Sequence, residues 1–175
     1  MPEKNIRIIP RVYLVWPGGD RVNNDEYWPE EMKKYDFTSQ EFYDRAVNLI
    51  KKMGEAWDND PRIAYIEMGI YGFWGEHHLY ANQLGLPEQM PEEAQKVLGD
   101  AFTQSFKNKK VQIRYAYNFK DYDFGVYWDS FGHIDALYEV DPIVGRGDFW
   151  KTNIVGGETA YDWGGYRTQP GDDPT

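Results

Sequence analysis

The chain has 175 residues, with 19 Lys and Arg against 29 Asp and Glu, and its formal net charge of -10 argues against nucleic acid or an anionic membrane as partner. That length suits one domain with a sizeable core, and no apolar run reaches the roughly 18 residues of a membrane span. There is no cysteine, which removes disulfides, zinc–thiolate sites and a thiol nucleophile, and Met1 to Arg7 shows no signal-peptide pattern.

In chain order, Ile6 to Trp16 reads as a strand, with Ile8, Ile9, Val12, Leu14 and Val15 in a near-continuous apolar run of the kind buried on both faces of a parallel sheet. Pro17-Gly18-Gly19 stops it, and a polar loop from Asp20 to Phe37 follows, carrying Tyr27, Trp28 and Tyr35. Thr38-Ser39-Gln40-Glu41 is a capping box that opens a helix with Phe42, Ala46, Leu49, Ile50, Met53 and Trp57 on one stripe, and Asp58 to Pro61 ends it. Arg62 to Ile70 is the next strand, followed by a glycine-rich and aromatic loop from Tyr71 to Gly85. Pro91 starts a second helix with Ala94, Val97, Leu98, Ala101, Phe102 and Phe106 on its stripe, Glu92 and Glu93 at its positive end and Lys107, Lys109 and Lys110 at its negative end. Further strands are predicted over Val111–Tyr117, where Val111, Ile113 and Tyr115 alternate with Gln112 and Arg114, and over Phe124–Trp128 and Asn153–Gly156. The polar residues at 168–175, with two prolines, read as a frayed or truncated tail after a single domain at 1–167.

This alternation is that of a parallel α/β sheet. The loops after the strands are long and rich in Gly, Trp, His and Asp, whereas those before them are short. That asymmetry matches a (β/α)8 TIM barrel, whose active site lies on the loops after the strands. A full barrel needs about 250 residues, so the chain is expected to supply about five of the eight units, or else to form a smaller α/β sheet.

The aromatic fraction is 17%, with 7 Trp, 14 Tyr and 9 Phe. Such rings either fill a core or line a cleft where sugar C–H faces stack and hydroxyls meet indole N–H and phenol O–H groups. The densest chemical signal is Glu67-Met68-Gly69-Ile70-Tyr71-Gly72-Phe73-Trp74-Gly75-Glu76-His77-His78, where a strand ends, glycines turn the backbone and a carboxylate follows an indole. A partly apolar neighbourhood of this kind suits Glu76 to general-acid work. Glu67, on the other face of its strand, is a second candidate acid or a supporting partner, for example to Arg114. A second glycine-framed carboxylate is Glu158, after Ile154-Val155-Gly156-Gly157. Two carboxylates at the ends of different strands are what glycoside hydrolysis needs. Tyr127-Trp128-Asp129-Ser130-Phe131-Gly132-His133 and the pair Arg114 and Tyr117, at other strand ends, fit hydroxyl recognition or orientation of a catalytic glutamate. His77, His78, Asp129, His133, Glu76 and Glu158 are possible metal ligands, but adjacent histidines in a loop lack the i, i+4 spacing of a helical zinc motif, and no metal is expected. No phosphate loop, dinucleotide fingerprint or Gly-x-Ser-x-Gly elbow occurs, and no organic cofactor is implied.

The segments Arg62–Ile70, Trp74–His78, Tyr127–Phe131 and Gly156–Thr159 together resemble a group of bacterial proteins with a glycoside-hydrolase-like barrel, which carry a strand-end Gly-x-x-Gly-x-Trp-Gly-Glu-x-His and a later Gly-Gly-Glu. Through them the chain is similar to the retaining clan A glycosidases, whose acid/base glutamate follows strand four and whose nucleophile ends strand seven. The resemblance, from about Ile6 to Thr159, implies a partial barrel of strands three to seven of eight, with Glu76 as acid/base and Glu158 as nucleophile. It further implies a carbohydrate substrate bound or framed by Trp74, His77, Arg114, Tyr117, Trp128 and Asp129. Gly75 stands where clan A enzymes usually have Asn, and strands one, two and eight have no counterpart here. A polysaccharide substrate favours a periplasmic or extracellular location. Two other readings fit the same residues: a carbohydrate-binding barrel without turnover, and a metal-dependent hydrolase using the histidines.

Overall fold

A computed structural model describes residues 4–16, 27–79, 89–131 and 151–159, the side chains of 129–131 and 159 aside. The expected turn at Pro17-Gly18-Gly19, the loop end near Gly85, His133 and the tail at 168–175 lie outside the described residues. The chain divides into two compact units, Met1–Val111 and Gln112–Thr175.

In the first unit, α1 (Gln40–Trp57) opens where the Ser39 side chain accepts the Phe42 N–H at 3.1 Å. The cap is thus Ser39, one residue after the Thr38 of the expected box, and it satisfies one of the amides that a helix start leaves orphaned. The buried face of α1 is Phe42, Tyr43, Ala46, Ile50, Met53 and Gly54. Leu49, expected on the stripe, is exposed, because the seam runs through Tyr43 and Gly54 instead. α2 (Glu92–Ser105) buries Ala94, Leu98, Gly99, Ala101 and Phe102 and packs on α1. Pro91 is its cap rather than its first helical residue. At the other end Lys107 Nζ donates to the Thr103 carbonyl at 2.7 Å, placing a cation at the negative pole.

β1 (Ile66–Glu67) is the short regular part of the strand predicted over Arg62–Ile70. On one side it follows the segment from Ile8 to Val15, through parallel bridges Ile8↔Ile63, Arg11↔Glu67 and Val15↔Phe73. On the other, the Ile66 N–H donates to the Lys110 carbonyl, directly before β2 (Val111–Ile113). The Ile6–Trp16 segment therefore corrects the expectation in two ways. It forms isolated bridges rather than a continuous strand, and Ile6, Ile8 and Ile9 are exposed rather than covered on both faces. The bridges of this segment run to Ile63, β1 and the loop after β1.

Two tight turns close the end of the unit before its strands. The Asp58 carboxylate accepts the backbone N–H groups of Asn108 at 2.9 Å and Lys109 at 3.0 Å, together with the Asn108 amide at 2.9 Å. One side chain thus joins the turn after α1 to the turn after α2.

In the second unit, β3 (Gly125–Phe131) pairs in parallel with the end of β2, through Gln112↔Gly125 and Ile113↔Val126. β4 (Val155–Thr159) pairs in parallel with β3 from Val126↔Val155 to Trp128↔Gly157, with an irregularity before Phe131↔Thr159. The hydrogen-bonded strand order is β1-β2-β3-β4. β2 is buried at every position, including Gln112 at 1% exposure, which replaces the expected alternation. Gln112 is tolerated inside because its amide donates to the Val126 carbonyl at 3.0 Å and reaches Ile154 O at 3.5 Å. The architecture is a partial α/β fold of parallel strands and helices.

Candidate active site

The loop after β1 is built against its own preferences. Ile70, Trp74 and His77 take left-handed conformations (φ 69, 53 and 64), as do Gly72 (φ 84) and Gly75 (φ 72). A β-branched residue such as Ile70 seldom occupies that region, and each such residue costs about 1–3 kcal/mol unless the surroundings enforce it. Here a dense backbone network enforces it. Ile70 N–H donates to Val12 O at 2.6 Å and Trp74 N–H to Val15 O at 2.9 Å, which pins the loop to the preceding segment. Phe73 N–H donates to His78 O at 3.0 Å and Glu76 N–H to Phe73 O at 2.8 Å, which closes it on itself. Strain held at the end of a parallel strand is characteristic of functional loops.

The loop carries Glu76, 6% exposed, at its centre. Each of its carboxylate oxygens faces a different group. Oε1 lies 3.6 Å from Arg11 Nη1, and Oε2 lies 3.3 Å from His78 Nε2. Arg11 Nε is in turn 3.7 Å from Glu67 Oε2, so one guanidinium bridges both glutamates of the motif. Burying carboxylates is expensive without such partners, and the bridge sets both groups in one place. His77 is fully buried, and its Nε2–H donates to the Met68 carbonyl at 2.9 Å, tying the loop back onto the strand. Trp74 is half-buried, with its ring 6.1 Å from the His78 ring and edge-on to Phe73 at 6.2 Å.

The remaining expected site residues lie in the second unit. Arg114 is buried, with its guanidinium carbon 4.5 Å above the Tyr115 ring. Tyr117 is half-buried and stacks on Tyr115 at 5.1 Å and 18°. Trp128 is buried within β3; Asp129 follows it in the same strand, and its side chain lies outside the described residues. Glu158 is exposed near the end of β4. Gly157 before it, at φ 153, passes so close to β3 that an added Cβ would stand 1.8 Å from the Trp128 carbonyl oxygen. Only glycine fits at 157, whereas a Cβ on Gly156 would meet only the Gln112 amide at 3.9 Å.

Arg11 was not among the expected site residues, and His78 was expected only as a possible metal ligand. A signal for Arg11 existed: it is the one charge between Ile8 and Trp16, and a lone charge in an apolar strand needs a partner. Among the described residues, no group of three or more His, Asp or Glu is gathered so as to hold a metal ion. No helix of the described residues is long and apolar enough to cross a membrane. Comparison with protein-family models, with curated proteins and with solved structures found no match.

Proposed function

We propose that the chain is part of a glycoside-hydrolase-type (β/α)8 barrel, covering about strands three to seven, that hydrolyses an O-glycosidic bond with retention of configuration. The observation that carries this reading is the buried Glu76, held through both oxygens by Arg11 and His78 in a strained loop after a parallel strand. The resemblance of the Gly-x-x-Gly-x-Trp-Gly-Glu-x-His and Gly-Gly-Glu motifs to barrel glycosidases supports it independently. In this reading Glu76 protonates the leaving oxygen while Glu158 attacks the anomeric carbon. Glu76 then takes a proton from the water that releases the sugar from Glu158. Arg11 and His78 aim the Glu76 carboxyl, and Trp74, Arg114, Tyr117, Trp128 and Asp129 contribute to sugar binding or to orienting the glutamates.

The test is turnover of 4-nitrophenyl glycosides and of oligosaccharides by the chain and by its Glu76→Gln and Glu158→Gln variants. Each variant is expected to lower kcat by about 100-fold or more, the scale of a lost acid/base or nucleophile. Added azide should restore a glycosyl azide product in a Glu158→Gly variant if that residue is the nucleophile. Wild-type turnover in both Gln variants would sink the reading.

A further inference from the structure

We propose that Tyr13, Trp16 and Tyr27 form an aromatic corner beside Glu76 that holds a pyranose ring of a carbohydrate chain. The inference rests on the carbohydrate reading above and adds to it a binding site made of residues outside the two motifs.

The corner follows from the first segment of the chain. In an extended backbone Arg11 and Tyr13 share a face. Arg11 reaches Glu76 at 3.6 Å, and Tyr13 lies against the residue before it, since a Cβ on Gly75 would stand 3.3 Å from Tyr13 Cβ. Tyr13 is therefore a neighbour of the glutamate's own turn. Around it stand two exposed rings. Trp16 is tilted by 42° at 5.3 Å, and Tyr27 stands edge-on at 89° and 6.1 Å. The three rings make a floor and a wall rather than a closed stack.

Exposure is what separates this cluster from a core. Trp16 is 44% and Tyr27 54% exposed, while the neighbouring rings Trp28, Phe37, Phe42 and Tyr71 are buried together. Large rings left in water around a half-buried ring that lies against the turn carrying Glu76 mark a binding surface. All three have an apolar face and a polar tip, a phenol O–H or an indole N–H. That combination matches a pyranose, which offers axial C–H groups to a ring face and equatorial hydroxyls to the rim. The perpendicular wall adds a second face, which a single sugar unit turning into the site would meet.

The test uses the full chain in a Glu76→Gln background, to prevent turnover, titrated calorimetrically with cellohexaose, xylohexaose, mannohexaose, laminarihexaose and maltohexaose. At least one hexaose is expected to bind. Trp16→Ala and Tyr27→Ala, added singly, are expected to weaken it by roughly tenfold, the scale of one lost aromatic contact, and Trp16→Phe by about threefold or less. Because both side chains are exposed, melting temperatures should stay unchanged. Affinities within about twofold of the parent in both Ala variants, or no binding of any hexaose, would overturn the proposal. Hydrolysis with Glu76 restored separates the two ideas. If the corner fails and the glycosidase reading holds, turnover persists with KM unmoved by Trp16→Ala. If the glycosidase reading fails and the corner holds, Trp16→Ala still costs binding while no hexaose is cleaved.

Discussion

Gly75 shows how one residue shapes the candidate site. Its φ is 72, and a Cβ there would meet Gly69 Cα at 2.9 Å as well as Tyr13. Gly75→Ala therefore carries both a left-handed backbone penalty and a clash with main chain that cannot rotate away. We expect it to cost about 2 kcal/mol or more of stability in denaturant melts and, under the proposed glycosidase reading, to lower turnover further than the melt predicts, because the next residue is Glu76. A Gly75→Ala variant as stable and as active as the parent would show that the turn is looser than this geometry. Tyr71 makes the opposite case. Its ring is fully buried against Phe37 at 4.9 Å, and burial first, then the nearby Tyr43, pushes its phenol above the usual range. A raised phenol pKa leaves stability intact below the unfolded value of about 10 and erodes it as pH rises from there toward the folded value. Tyr71→Phe should leave stability near neutral pH within about 1 kcal/mol and make the alkaline loss above about pH 10 shallower. An unchanged alkaline slope would mean that other groups carry it.

Among the elements, the two helices and the turns that follow them set the frame beneath the loops. Gly54 of α1 passes so close to α2 that an added Cβ would stand 2.4 Å from the Ser105 carbonyl oxygen. Asp58 then locks the two following turns together. Burial alone would raise its carboxyl pKa, but the N–H groups of Asn108, Lys109 and Lys107 and the Asn108 amide outweigh that and hold it below the usual range. A depressed carboxyl pKa contributes stability above the unfolded value of about 3.9, and this contribution is lost as pH falls through the folded value. Asp58→Asn keeps the shape but loses charge and acceptors, so it should cost about 1–3 kcal/mol at neutral pH, with the gap to the parent closing below about pH 4. A gap independent of pH would assign the loss to packing instead. The element boundaries were legible to within a residue wherever a local signal exists: the box at Thr38 for a cap at Ser39, Pro91 for a helix that begins at Glu92, and Lys107 at its end. The faces were less so. Leu49, expected on the buried stripe, is exposed and Tyr43, not on that stripe, is buried, because the partner of α1, rather than its own periodicity, decides where the seam falls.

Over the whole molecule, the alternation of strands and helices and the long loops after strands predicted a parallel α/β fold, and the four regular strands follow in sequence order, β1-β2-β3-β4. The acidic charge and the two glycine-framed glutamates were equally visible from the residues alone. The grouping around Glu76 was not. Arg11 is far from Glu76 in sequence, and no periodicity relates them; only the pairing of Arg11 with Glu67 brings the guanidinium to both glutamates.

What composition, capping residues and hydrophobic period determined was local: which stretches are helix or strand, where they begin, and which carboxylates sit on glycine turns. Those features depend on neighbours within about four positions, so they can be read along the chain. Tertiary structure decided the rest. It left Ile6, Ile8 and Ile9 exposed where an apolar run promised burial, and it buried Gln112 where alternation promised a polar face. It also gathered the exposed Trp16 and Tyr27 around the half-buried Tyr13, which lies against the turn carrying Glu76. Each of these outcomes is set by what packs on the other side of a strand, and a strand's own residues carry no record of that neighbour.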